Sequence, residues 1–331
     1  MEVWLASVSP DGSSPAVASF EQLARDARST RHKLADSPER ADLILFVDAH
    51  LFPRDPGQRA LLTRQTLLDA HRSKCLVYDE RDDPWLTWPG LYVSMPARAF
   101  VPEYQAAWGY YATPAASAEA GPEPDLLFSF VGSPSHRARR GVYSLRDARA
   151  VVERIDGFTF YDESSVDFEQ RRKHYRDVLL RSKFVLCPRG KGTSSIRLYE
   201  TLAAGRVPVI IADEWVAPRG PDWESFALRW PEHDVAALPR VLAEREDDYE
   251  RMAAATRNAF ASWFAPERAW DRLIDACQPL LERDAPTRFP RRGIRGRRYL
   301  EVRVRRARDV AIPRARGAAR QLLRRLGRRP A

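Results

Sequence analysis

The residues best suited to chemistry lie between 182 and 213, in the run SKFVLCPRGKGTSSIRLYETLAAGRVPVIIAD. An apolar segment, Phe184–Cys187, leads into Pro188-Arg189-Gly190-Lys191-Gly192-Thr193-Ser194-Ser195, and a helix is expected from about Ile196. Gly190 and Gly192 allow the backbone to approach a ligand closely, and Ser195 or its neighbours can cap the helix. Free N–H groups at a helix start favour an anion. With Arg189, Lys191 and Arg197 alongside, a phosphate or diphosphate is the expected guest. The spacing GxxxxGK[ST] does not occur here, which disfavours ATP hydrolysis of the P-loop type. Glu200 follows Arg197 by three positions and so shares its helix face. A carboxylate there has two readings, an acceptor for the ribose hydroxyls of a nucleotide or half of an Arg–Glu pair on a solvated face.

Positioning such a loop requires strands and helices, and the pattern supplies them. Short apolar runs at Val3–Val8, Leu43–Val47, Cys75–Tyr78, Leu126–Val131, Phe184–Cys187 and Val207–Ala212 alternate with charge-rich stretches. That is the signature of βα units on a parallel sheet. Helices are expected at about 17–28, 56–72, 137–154, 167–181 and 196–204, with later helical patterns at 234–260 and 266–283. Residues 113–124, rich in Ala, Pro, Gly and Glu, read as a linker. The expected layout is an α/β half over 1–112, a second over 125–286, and a tail over 287–331.

The charge divides sharply along the chain. Residues 288–331 hold 17 Arg against Glu301 and Asp309, a net +15, so the overall +9 leaves the preceding 287 residues at −6. A mildly acidic body is a poor nucleic-acid-binding core. Three scattered cysteines form neither a disulfide framework nor a CxxC zinc site, which fits a reducing compartment. No run approaches the roughly 18–20 apolar residues that span a bilayer, and the N-terminus lacks a signal-peptide pattern. A cytoplasmic protein, peripheral on the inner face of the membrane if the tail binds there, is expected.

The ordered set Ser182-Lys183-Phe184, Cys187-Pro188-Arg189-Gly190, Ser195-Ile196-Arg197, Glu200 and Gly205-Arg206-Val207-Pro208-Val209-Ile210 resembles the signature of exostosin-family glycosyltransferases. Phe130-Val131-Gly132, then Arg139 and Val142-Tyr143, is similar to an upstream element of that family, with Arg137 and Arg140 leaving the choice of arginine open. Trp223 and Phe226 continue the likeness, which spans about residues 126–228. Fucosyltransferases share Gly-x-Val-Pro-Val, but they have a Phe-Glu-Asn-like stretch where this chain has Pro188-Arg189-Gly190. The resemblance implies a GT-B-like fold, two Rossmann-like α/β domains facing a cleft, and transfer with inversion from a nucleotide sugar, usually a UDP-sugar, to a carbohydrate or glycolipid hydroxyl. It implies that Arg139, Arg189 and Arg197 contact the diphosphate, with Gly190, Lys191 and Ser195 alongside, and that Glu200 meets the ribose. Side chains and a helix N-terminus would then stabilise the leaving group, and no metal or other cofactor is expected.

An acceptor hydroxyl needs a base from the opposite half. Asp82 is the first candidate, with Asp48 and Asp79 behind it, and Trp85 and Trp88 are candidates to stack on a sugar. Each has a structural alternative, a helix cap for the acids and half-buried packing for the tryptophans. Cys187 reads as a small core residue. The Arg-rich tail fits contact with an anionic membrane surface, nonspecific nucleic-acid binding or a solvated extension. The competing function is a noncatalytic nucleotide- or polyanion-binding protein that keeps the fold.

Overall fold

The computed structural model describes residues 1–7, 14–27, 29, 31–48, 66–82, 89–111, 123–155 and 168–282. Residues 56–65 of the helix expected over 56–72, most of the 113–124 linker, Trp85, Trp88 and the 287–331 tail lie outside them. In the first half the elements are β1 (Glu2–Ala6), α1 (Pro15–Asp26), β2 (Lys33–Leu34), β3 (Leu43–Phe46), α2 (Thr66–Ala70), β4 (Cys75–Asp79), β5 (Gly90–Tyr92) and β6 (Gln105–Ala107). The second half runs β7 (Leu126–Gly132), α3 (Ala138–Val142), β8 (Ala150–Arg154), α4 (Phe168–Leu180), β9 (Ser182–Pro188), α5 (Ile196–Ala203), β10 (Val207–Ile211), α6 (Trp223–Phe226), β11 (Leu228–Arg229), α7 (Leu238–Glu244), α8 (Tyr249–Trp263) and α9 (Pro266–Leu281).

Every strand pairing among the described residues is parallel, in one sheet of order β2-β1-β3-β4-β5-β6 and another of order β11-β10-β9-β7-β8. The two windings match: the first strand of each half has the second on one side and the third on the other. Each sheet therefore has a point where the strand order reverses, between β1 and β3 and between β7 and β9. Such points leave a crevice at the carboxyl ends of the strands. Helices cover both faces, so the central strands are buried throughout, as Leu43–Phe46 and Val207–Ile211 are.

Local chemistry explains most boundaries. Ser14 caps α1 by accepting from the Ala16 N–H at 3.1 Å, and Pro15 occupies the first turn, where its missing N–H costs nothing. The helix expected over 137–154 is instead a five-residue helix and an edge strand. Gly141 weakens the helix, which ends at Val142, a turn at Asp147 leads into the strand, and the β-branched Val151-Val152 pair joins β7. The pattern at 234–260 breaks into α7 and α8 around a 3₁₀ turn at Glu246–Asp248.

The last helix departs from the expected division at residue 286. Trp270, Leu273, Ile274, Cys277 and Leu280 of α9 pack with Phe20 of α1 and with Val3, Leu45, Tyr78 and Leu91 of the first sheet. The Trp270 indole donates to the His32 carbonyl at 2.9 Å, and Arg31 pairs with Asp275 at 2.6 Å. The apolar stripe of α9 is matched by the face of the first sheet that α1 covers only in part, so the chain crosses back. Direct contacts also join the halves: Ala97 N–H donates to the Glu214 carbonyl at 2.8 Å, Arg98 pairs with the Glu214 carboxylate at 2.9 Å, and the Tyr199 hydroxyl donates to the Trp108 carbonyl at 3.2 Å.

Candidate functional site

The site forms where the second sheet reverses its strand order. The chain leaves β7 at Gly132 and β9 at Pro188, and Arg139 laces the two exits together. Its Nη1 donates to the Ser133 carbonyl at 3.0 Å and its Nε to the Arg189 carbonyl at 3.1 Å. Arg197, on the first turn of α5, donates to the Val131 carbonyl at 2.5 Å and is only 8% exposed. Both guanidiniums use the Phe130 ring, with Cζ 4.6 Å (Arg197) and 5.7 Å (Arg139) from its centroid, and the Tyr175 ring lies 5.4 Å from Arg197. Arg139 and Arg197 are the arginines singled out by the upstream and helix motifs, so the structure brings the two together.

What holds these cations matters more than their number. Among the described residues neither Arg139 nor Arg197 has a carboxylate within ion-pair distance; carbonyl oxygens and ring faces hold them in place. Burial and then the field of Arg197 pull the Arg139 guanidinium down, to about 10, which still leaves it charged at neutral pH. Nε of Arg197 and the hydroxyl of Thr193 are buried and have no hydrogen-bond partner among the described residues. Unmatched buried donors around two guanidiniums without an ion-pair partner among the described residues suit an anion.

The loop and helix complete the surround. Ser195 takes the N-cap position, but its hydroxyl makes no cap bond and α5 has no acid in its first turn, so the expected side-chain cap is missing. The helix start thus carries neither a side-chain cap nor a local carboxylate, a setting that favours an anion. A Cβ on Gly190 would stand 3.2 Å from Nη2 of Arg139. At Gly192 it would meet Ser94 Oγ at 2.4 Å and Asp82 Oδ1 at 2.7 Å, so the first half presses on this loop and a side chain there would displace those of Ser94 and Asp82. Lys191 is exposed at the loop crest, and the Arg189 side chain donates to the Lys191 carbonyl at 3.2 Å.

Glu200 does not lie on a solvated helix face, as its spacing suggested. It is 5% exposed and accepts the Tyr175 hydroxyl, and burial raises its carboxyl above the ordinary range against the opposing pull of that bond and of Arg197. Sequence reasoning missed Tyr175, because no motif contains it and its partners lie on another element. It also passed over Thr193 as one hydroxyl among three.

The candidate bases separate. Asp48 is fully buried and accepts the Ser7 hydroxyl, and Asp79 is buried under a bidentate pairing with Arg81, so neither faces an open cleft. Only Asp82 is exposed, and its field reaches Arg139 across the interface. Cys187 is a buried thiol pushed up to about 12 by burial, in keeping with its reading as a core residue.

Fold and site together define a protein with two parallel α/β sheets and two arginines, Arg139 and Arg197, held by carbonyls and rings at the strand-order reversal of the second. Residues 55–244, more than half of the chain, match the Exostosin GT47 domain, and the chain belongs to that family. Curated relatives include the exostosin-1 homolog of Caenorhabditis elegans, 41% identical over 76 residues, which are 22% of this chain and 20% of that protein. A probable glucuronosyltransferase GUT1 of Oryza sativa is 37% identical over 105 residues, 31% of this chain and 24% of that one. The aligned stretches thus span about a quarter or less of these relatives' lengths. Among solved structures, Anabaena Alr3699/HepE in complex with UDP aligns over 85% of this chain and 98% of its own, at TM-score 0.32 and 10% identity. No helix among the described residues is long and apolar enough to cross a membrane.

Proposed function

We propose that the protein is a glycosyltransferase that moves a sugar, with inversion, from a nucleoside diphosphate donor to a hydroxyl of a carbohydrate or glycolipid acceptor. The observation that carries this reading is the pair Arg139 and Arg197, buried at the β7/β9 reversal and held by carbonyls and rings with no carboxylate among the described residues to neutralise them. Membership of the exostosin GT47 family and relatives named as exostosins and probable glucuronosyltransferases support transfer of a sugar; uridine as the donor's base is part of the proposal.

In this reading the second half takes the donor and the first half the acceptor. Arg139, Arg197 and the α5 N-terminus meet the diphosphate, with Arg189, Gly190, Lys191, Ser195 and the Thr193 hydroxyl around it. As the glycosidic C–O bond breaks, negative charge grows on the leaving phosphate, and these fixed donors stabilise it without reorganising. No metal is required for that step. Asp82, exposed and facing the loop from the first half, takes the proton of the attacking hydroxyl. The Arg-rich tail would bring the enzyme to an anionic membrane surface.

Calorimetric titration with UDP, GDP, CDP, ADP and inorganic pyrophosphate tests the donor side. Selective binding of one nucleoside diphosphate is expected. If Glu200 also touches the ribose, Glu200→Gln weakens UDP while leaving pyrophosphate unchanged. Asp82→Asn should leave donor binding intact and slow transfer by about 100-fold or more. A protein that binds none of these nucleotides and hydrolyses no nucleotide sugar would be a noncatalytic member of the fold.

A further inference from the structure

The Arg197–Glu200 spacing on one helix face is the ordinary setting for an ion pair, yet the two do not pair. The guanidinium turns to the Val131 carbonyl at 2.5 Å and to the Phe130 ring, while the carboxylate accepts the Tyr175 hydroxyl. Tyr175 stands between them: its ring lies 5.4 Å from the Arg197 Cζ, and its hydroxyl takes the carboxylate oxygen. It comes from α4, a different element, so nothing local to α5 enforces the arrangement.

We propose that Tyr175 is a positioning residue that keeps Glu200 off Arg197 and so preserves, at the proposed anion site, a guanidinium with no direct ion-pair partner. The inference rests on the diphosphate reading and adds to it a residue that never touches the ligand. A buried carboxylate must have a donor, because leaving it unmatched costs more than a typical hydrogen bond contributes. With the Tyr175 hydroxyl present, that need is met by a neutral group. Without it, the nearest cation on its own helix is Arg197, and closing the pair would cancel the charge that the pocket offers. Burial keeps the Tyr175 phenol well above its ordinary range, so it remains a donor throughout the physiological pH span. The other cation acting on Glu200 is Arg172, on the exposed side of α4. Capture by Arg172 would leave the pocket unchanged, so it is the competing outcome.

The test is titration of inorganic pyrophosphate and of UDP into wild type, Tyr175→Phe, Glu200→Gln and the double variant. Tyr175→Phe should weaken both ligands about tenfold, the effect expected for the loss of one hydrogen bond to a charged group. Glu200→Gln should leave pyrophosphate within about twofold of wild type, and adding it to Tyr175→Phe should restore pyrophosphate to that level. A Tyr175→Phe protein that binds pyrophosphate like wild type, or a double variant no tighter than Tyr175→Phe, overturns the proposal. If Tyr175→Phe fails to fold, the double variant is compared with Glu200→Gln alone; equal pyrophosphate affinity is expected, and a weaker double variant overturns it. A wild type that binds neither ligand sinks the diphosphate reading instead. In that event a crystal structure of Tyr175→Phe decides this proposal by itself: a Glu200 oxygen within about 4 Å of an Arg197 nitrogen supports it, and a carboxylate still apart from Arg197 overturns it.

Discussion

The two sheets share a winding but use their reversal points in opposite ways. Between β1 and β3, the Asp48 carboxylate is buried and takes the Ser7 hydroxyl, so the chain's own groups answer each other there. Between β7 and β9, the charged groups are Arg139 and Arg197, and their partners are carbonyl oxygens and the Phe130 ring. A carbonyl orients a guanidinium without cancelling its charge. The first crevice thus holds a buried acid bonded to a neutral hydroxyl, and the second two guanidiniums bonded to neutral carbonyls, on which Asp82 and Glu200 act through their fields. Topology offers a crevice twice, and the charged side chains placed there differ in sign between the two.

The comparison can be broken from either end. Arg197→Gln keeps a hydrogen-bonding side chain but removes one of the two charges, and should weaken UDP and pyrophosphate about 100-fold in calorimetry. An affinity near that of wild type would show that the second crevice is as self-contained as the first. Asp48→Ala strands the Ser7 hydroxyl and removes a buried carboxylate. We expect about 2 kcal/mol less stability in urea unfolding with pyrophosphate affinity unchanged; a large loss of affinity would instead link the two crevices. Arg139→Lys keeps the charge but cannot reach the Ser133 and Arg189 carbonyls together, and about a tenfold loss of UDP affinity is expected. Lys191→Ala, at an exposed position, should weaken UDP only about twofold, an effect that added salt erases.

Much of this architecture is legible in the amino-acid sequence. The apolar runs mark six of the strands because both faces of a parallel sheet are covered, which leaves near-continuous hydrophobic segments. The strands that carry no such mark, Lys33–Leu34, Gly90–Tyr92, Gln105–Ala107, Ala150–Arg154 and Leu228–Arg229, are too short or too polar to show periodicity, and tertiary pairing makes them. At the site, Arg139, Arg197 and the glycine loop are readable because their chemistry is local to a short motif. The roles of Tyr175, Asp48 and Asp79 are not, since each depends on a partner or a degree of burial that spacing within the sequence does not encode. For Glu200 only the solvated-face reading fails, for the same reason: three residues after Arg197 defines a helix face, but not what covers it.

The return of α9 to the first sheet bears on the order in which the molecule can be built. A chain leaving the ribosome presents β1 to β6 early, at roughly 5–20 residues per second. The face of that sheet carrying Val3, Leu45, Tyr78 and Leu91 stays uncovered where Trp270, Leu273, Ile274 and Cys277 belong until α9 has been synthesised. The half that is made first is thus the half that is finished last.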